Sequence, residues 1–320
     1  MDNNHFAIVM AGGIGARFWP SSTPDYPKQF IDMIGNGRSL LQTTFSRLEK
    51  IVPTENIYIV TQLRYQKIIL DQLGDKLNED QIISEPDRRN TAPCILLASL
   101  KIQKRNPNAI IIVSPSDHSI KNEVIFKSDM EFALASAGNE NLITFGIEPT
   151  FPATGFGYIS VIADENRLKT VLEFTEKPDE NMAKSLIDSG NYYWNSGIFV
   201  WSVNAVINGF KENVPKLFDL FNVGFSKLNT PDEKKFISKK YPLAENISID
   251  YALMEKSNLI NMIPASFDWD DLGSWKSIYD LNTKDAANNV VINSKVYLNQ
   301  SSNNLIKSNP NKKIVISGLS

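Results

Sequence analysis

Arg17 and Lys28 follow closely on three glycines, Gly12, Gly13 and Gly15, in the stretch MAGGIGARFWPSSTPDYPKQF. Glycines let backbone N–H groups turn toward one anion and let the chain approach it. Arg17 adds a planar, permanently charged fork for phosphate oxygens, and Lys28 is a second cation aimed by the rigid Pro27. A purely structural turn would need the glycines but not the two cations. The pattern from Ala11 to Lys28 therefore reads as a phosphate cradle. Asp117 stands in PSDH, behind the apolar run AIIIVS, and Asp270 and Asp271 open DDLGSW. Mg²⁺ wants hard oxygen ligands and takes only one or two carboxylates. From local sequence alone, Asp117 reads as a turn or cap aspartate. Glu176 and Lys177 in FTEKP likewise read as a solvated pair.

The loop is a poor nicotinamide site. That site needs G-x-G-x-x-G/A running into a helix. Here the third small residue is missing, and Pro20 opposes a helix in the usual place.

These residues must be positioned by short β-branched runs alternating with helical patterns. Strands are expected at Phe6–Met10, Ile57–Thr61, Gln81–Ser84, Ala109–Ser114 and Leu142–Ile147. Helices are expected at Leu40–Lys50, Arg64–Leu73, Thr91–Lys104 and Ile125–Ala137. This order predicts an α/β fold with a Rossmann-like, mostly parallel sheet flanked by helices. Ligands of such sheets bind at the carboxyl ends of the strands, and the candidate residues come just after strands. From about Phe151 the pattern becomes α+β and completes the same domain. Strands are expected there at Tyr158–Val161, Val171–Thr175 and Gly197–Ser202, with helices near Asp179–Ser189 and Val203–Asn213. The Asn- and Ser-rich end fits a small β appendage, a turn of β-helix. The expected division is 1–285 and 286–320. Asn90 or Thr91 suits the cap of the helix that Ala92 and Pro93 begin.

The formal net charge of −3 gives no general pull toward nucleic acid or an anionic membrane. The single cysteine, Cys94, excludes an internal disulfide and suits a reducing compartment. No apolar run reaches ~18 residues, so no membrane span is expected. No signal-peptide layout is present, and the expected location is cytoplasmic.

The loop, with its FWP and PKQF, resembles the signature of the sugar-nucleotide pyrophosphorylases, in particular the mannose-1-phosphate guanylyltransferase branch. Further similar stretches follow in the same order: EPDRRNTAP, PSDH, TGFGYI, FTEKP, WNSGIF, SIDYALME and WDDLGSW. The resemblance covers roughly residues 6 to 282. It implies that mannose 1-phosphate and GTP give GDP-mannose and pyrophosphate. The sugar phosphate would attack the α-phosphorus in line. Its second pKa is about 6, so it needs no general base, and catalysis is mostly positioning and charge neutralisation.

The resemblance assigns roles residue by residue. Ala11, Gly12, Gly13, Gly15, Arg17 and Lys28 would hold the nucleotide phosphates. Glu85, Asn90, Thr91 and Ala92 would surround the guanine, whose N–H donors suit the Glu85 carboxylate. Asp117 and Asp271 would hold Mg²⁺, with Mn²⁺ as a substitute and Asp270 as the competitor of Asp271. His118 is read as a residue that supports Asp117 or simply packs. Lys177 would contact the sugar phosphate, Glu176 a hydroxyl, and Asn195 further hydroxyls through its paired donor and acceptor. Gly157 would let the sugar approach the backbone. Trp194, Trp269 and Trp275 are read as core or pocket wall.

The chain departs from the branch where many relatives carry an arginine near Thr23, so its loop is expected to close differently. It also ends without an isomerase domain, which implies a monofunctional enzyme or a shortened chain and leaves a homodimer open. Two further readings of the scaffold stay open. One is a pyrophosphorylase for another nucleotide or sugar 1-phosphate. The other is a non-catalytic GDP-mannose-binding relative, which should have lost metal or phosphate residues; here Arg17, Lys28, Asp117, Lys177 and Asp271 are all present.

Overall fold

A computed structural model describes residues 1–13, 15–138, 141–309 and 311–320. The chain divides into two compact units. The first comprises Met1–Gly12, Thr44–Ser116 and Ile120–Trp269; the second comprises Gly13–Thr43, Asp117–Ser119 and Asp270–Ser320. This grouping differs from the expected division at 285/286, because three distant segments build the second unit.

In the first unit the strands are β1 (His5–Met10), β2 (Ile57–Gln62), β3 (Ile82–Glu85), β4 (Ile110–Pro115) and β5 (Leu142–Ile147). They continue as β6 (Gly157–Val161), β7 (Lys169–Glu176), β8 (Tyr192–Ser202) and β9 (Ile260–Pro264). Among the described residues they form one nine-stranded sheet, in the order β3-β2-β1-β4-β8-β5-β9-β7-β6.

The run β3-β2-β1-β4 is parallel throughout. Its strands are nearly continuous apolar runs because both faces are covered: Phe6 to Val9 are buried without alternation. Beyond β4 the sheet is mixed. The eleven-residue β8 runs antiparallel to β4, β5 and β6, whereas β5 and β9 are parallel. The α/β class is as expected, with parallel order confined to one half and to the β5–β9 pair. The residues after Phe151 add strands to that same sheet.

The expected helices form at Leu40–Leu48, Gln66–Leu73, Thr91–Arg105, Glu123–Ser136, Glu180–Asp188 and Val203–Asn213. Thr91–Arg105 buries nearly every side chain from Ala92 to Ile102 and packs on Val203–Asn213 within the main core. No helix among the described residues is long and apolar enough to cross a membrane.

The second unit has its own core of Phe18, Met33, Leu40, Leu272, Ile278, Val290 and Ile292. Its strands are β10 (Val290–Ile292), β11 (Lys295–Asn299), β12 (Leu305–Lys307) and β13 (Lys313–Ser317). β10 pairs in parallel with β12, and β11 with β13. Successive coils thus lie in register, as in a short piece of β-helix. The richness in asparagine has a physical cause. Asn288, Asn293 and Asn303 turn through positive φ, which asparagine tolerates better than most residues. Asn289 and Asn304 also bond across coils, with Asn304 Nδ2 donating to Asn289 Oδ1 at 3.0 Å.

Candidate functional site

The candidate residues fall into three sets, each within one unit. The phosphate and metal set lies in the second unit. Beyond Gly13 the chain makes the 3₁₀ turn Ala16–Phe18, not the α-helix a dinucleotide turn would require. Gly15 has φ +57°, and a Cβ there would lie 2.8 Å from Lys28 N. Both the left-handed backbone and the close approach demand glycine. Its carbonyl accepts from the Ser22 hydroxyl, and Gly13 O accepts from Gln29 Nε2 at 2.8 Å. The loop then closes on itself through paired Thr23 and Tyr26. Arg17 is exposed.

Lys28 is buried. Its ammonium donates to Asp271 O at 2.9 Å and Leu272 O at 3.1 Å, and it pairs with Asp117 Oδ2 at 3.0 Å. An ammonium has three donors; a phosphate oxygen would have to take over one of these three. Burial opposes the charge on Asp117, but Lys28 and then His118 outweigh it and hold the carboxyl below its ordinary range. His118 Nε2 lies 3.9 Å from Asp117 Oδ1.

The segment of Asp117 meets that of Asp271 through a backbone bridge: Ser119 N donates to Asp270 O at 2.8 Å, and Asp270 N to Ser119 O at 3.1 Å. Asp271 Oδ1 accepts from Gly273 N at 3.0 Å, and Asp270 Oδ1 from Leu272 N at 2.7 Å. Burial raises the Asp270 carboxyl. Leu272, directly after them, has φ +49°, a conformation a branched side chain adopts only under constraint. No group of three or more metal-binding side chains occurs among the described residues. An ionised Asp117 with a neighbouring aspartate fits an ion that takes one or two carboxylates and keeps its waters.

The base set lies in the first unit. Ala11 continues the β1 ladder by donating to Val60 O at 2.8 Å, and Gly12 O accepts from Gln62 Nε2 at 2.9 Å. Glu85 ends β3, is buried, and accepts from the Tyr241 hydroxyl. A Cβ on Gly12 would sit 3.3 Å from Glu85 Oε2. Asn90, with φ +63°, accepts from Thr91 N at 3.0 Å. Thr91 Oγ1 accepts from Ile249 N at 2.8 Å, and Ala92 N donates to Ile247 O at 3.1 Å. The cap reading of Asn90 is therefore realised, and Thr91 and Ala92 anchor the segment near Ile249.

Burial pushes the Glu85 carboxyl up to about 7, against the Tyr241 hydrogen bond and the charge of Arg88. Between about pH 4.5 and 7 the folded chain keeps a proton that the unfolded chain has lost. Stability therefore falls as pH rises through that window. Glu85→Gln should remove a fall of about 3 kcal/mol. Urea unfolding of both proteins at pH 5 and pH 8 measures it, and parallel profiles would dismiss the shift.

The sugar set also lies in the first unit. Gly157 pairs with Glu176 across β6 and β7. A Cβ at Gly157 would lie 2.7 Å from Glu176 Oε2 and 2.8 Å from Phe174 Cζ. Glu176 and Phe174 thus fill the space that glycine leaves. Lys177, with φ +48°, pairs with the Glu176 carboxylate. Its ammonium is destabilised by half-burial, but Glu176 and Asp250 outweigh this and raise its pKa. Asn195 is buried on β8, where its Oδ1 accepts from Thr144 Oγ1 at 2.8 Å. Trp194 sits in an aromatic cluster with Phe151, Phe156 and Trp269, and Trp275 packs edge-on against Phe18. Tyr241, Thr144 and Asp250 join these sets without having been singled out in the sequence. Asp250 stood in a quoted motif, SIDYALME, but had no assigned role.

The nucleotidyl transferase family model matches residues 6–288. The mannose-1-phosphate guanylyltransferase of Salmonella montevideo is 38% identical over 292 residues, covering 88% of this chain and 61% of the relative. That of Escherichia coli is 34% identical over 294 residues, covering 89% and 63%. The chain thus spans about three-fifths of the length of these curated relatives. A solved Thermus thermophilus protein, described as a mannose-1-phosphate geranyltransferase, matches with a TM-score of 0.88 at 25% identity. It covers 99% of this chain, which covers 90% of it.

Proposed function

Because this chain belongs to the nucleotidyl transferase family, we propose that it transfers guanylyl from GTP to mannose 1-phosphate, releasing GDP-mannose and pyrophosphate. The observation that carries the reading is the joining of Lys28, Asp117 and the Asp271 backbone behind a glycine loop. The substrate pair is the one implied by the activity named for the Salmonella and E. coli relatives.

The sugar phosphate is already an anion near neutral pH, so no side chain has to remove a proton. One of its oxygens attacks the α-phosphorus of GTP, the α–β bridge breaks, and pyrophosphate leaves with the electron pair. The protein's task is to place these anions and offset their charge. The glycine-loop amides and Arg17 hold the phosphates, and Lys28 adds charge while fixing Asp117. Glu85 accepts from guanine. Lys177 takes the sugar phosphate, while Glu176 and Asn195 take hydroxyls. Asp117 and Asp271 hold Mg²⁺, which when bound neutralises charge on the triphosphate.

The test is pyrophosphate release with mannose 1-phosphate and Mg²⁺ across GTP, ATP, UTP, CTP and dTTP, with EDTA as control. Release with GTP alone, abolished by EDTA, is expected. Release with another nucleotide instead would overturn the guanine assignment, EDTA-resistant release the metal, and no release at all the reaction.

A further inference from the structure

Asp250 is a half-buried carboxylate that the proposed chemistry does not use. It opens the π-helical turn Asp250–Met254, in which Glu255 N donates to Asp250 O at 2.9 Å. Such turns are rare and concentrate at functional sites, because the extra residue re-aims the side chains around it. The Asp250 carboxylate accepts from Asn195 Nδ2 at 3.0 Å. The Asn195 amide is fixed from its other end, where Oδ1 accepts from Thr144 Oγ1 at 2.8 Å and Gly197 N at 3.3 Å. Asn195 still carries a second amide N–H, and the Asp250 carboxylate, which also takes bonds from the Ser248 side chain and its own backbone N–H, has roughly four acceptor positions in all.

The charges around Asp250 are unbalanced. Burial pushes its carboxyl up to about 7, the negative charge of Glu176 adds to the rise, and Lys177 offsets part of it. Two carboxylates thus share one lysine, and that lysine is itself paired with Glu176. A purely structural role gains little from two partly buried acids beside one lysine, because their desolvation offsets much of what the lysine returns. A sugar supplies what is missing, since each ring hydroxyl is a donor that a carboxylate can accept. If Lys177 turns to the sugar phosphate, a sugar hydroxyl can take its place beside the two acids, adding to the Asn195 and Ser248 bonds of Asp250.

We propose that Asp250 determines sugar specificity: its carboxylate accepts a hydrogen bond from one ring hydroxyl of mannose 1-phosphate, beside the hydroxyl held by Asn195. This rests on the sugar 1-phosphate reading above. A site built to bond a hydroxyl rejects the analogue that lacks it far more strongly than an apolar pocket does. The wild-type enzyme should therefore disfavour one of the 2-, 3-, 4- and 6-deoxy analogues in particular.

The experiment compares wild type and Asp250→Asn with mannose 1-phosphate and those four analogues. For the variant, KM for mannose 1-phosphate should rise tenfold or more and KM for GTP should stay unchanged. One analogue that the wild type disfavours at least tenfold should serve the variant as well as mannose 1-phosphate does. A variant that ranks all four analogues as the wild type does, or that raises both KM values together, overturns the role.

Asp250→Glu displaces the carboxylate by one methylene and covers the case in which the asparagine variant does not fold. It should also raise the sugar KM at least tenfold, and an unchanged KM would refute the role. Calorimetric titration with mannose 1-phosphate separates the two claims. Equal binding to wild type and Asp250→Asn sinks the Asp250 role and leaves the substrate reading standing. No binding to the wild type sinks both.

Discussion

Asp117→Asn is expected to lower kcat by roughly two to three orders of magnitude, the usual loss when one preorganised electrostatic partner of the reacting group is removed. Asp117 is set up to be ionised, since Lys28 and His118 hold its carboxyl below the ordinary range despite burial. Asparagine is nearly isosteric, and its oxygen can still accept from Lys28 Nζ, which lies 3.0 Å away in the wild type. Only the charge is lost, so the fold should persist. Steady-state turnover with GTP, mannose 1-phosphate and Mg²⁺, beside a thermal melt, decides the matter. Near-normal kcat with an unchanged melt would remove Asp117 from the metal-binding pair.

Lys28→Met should have the largest effect on stability, on the order of 3 kcal/mol or more. Lys28 is only 7% exposed, and the substitution keeps most of its length while deleting three donors. Asp117 then loses its counter-charge, and the carbonyls of Asp271 and Leu272 lose their partner. Each buried acceptor left unmade costs about 1–3 kcal/mol. Activity should fall with stability, because the same lysine ties together the segments of both candidate metal carboxylates. Denaturant unfolding of Lys28→Met, Asp117→Asn and the double variant isolates the pair. A coupling energy near zero would mean that the ion pair does not hold the unit together.

The elements were legible because each leaves a local signature. AIIIVS is a continuous apolar run, and the structure buries it as β4. Asn90 precedes a helical pattern and does cap it. The sheet's mixed order was not legible, because antiparallel β8 lies between β4 and β5 through pairings that no local periodicity encodes. The site divided along the same line. The glycine loop and Lys28 could be picked out by residue type and place, whereas Asp117 looked like a turn aspartate until the resemblance gave it a role. Tyr241 could not, since it reaches Glu85 across 156 positions. Asp250 was hidden differently: an aspartate within a helical stretch looks solvent-facing until the π-turn aims it at Asn195. The conformations of Lys177 and Leu272 were equally invisible, since neither residue type favours positive φ.

Lys28 closes onto carbonyls that lie 243 and 244 residues further along the chain. This matters during synthesis. At roughly 5–20 residues per second, a ribosome that has made Lys28 needs on the order of tens of seconds to deliver its acceptors. The nine strands of the large sheet end at Pro264, so a nascent chain can pair all of them while the lysine has Asp117 but not yet its two carbonyls. The glycine loop is thus among the first segments translated, yet it is locked only after the large sheet is complete. A chain stalled before Asp271 carries every proposed base and sugar contact but lacks the two carbonyls that hold Lys28.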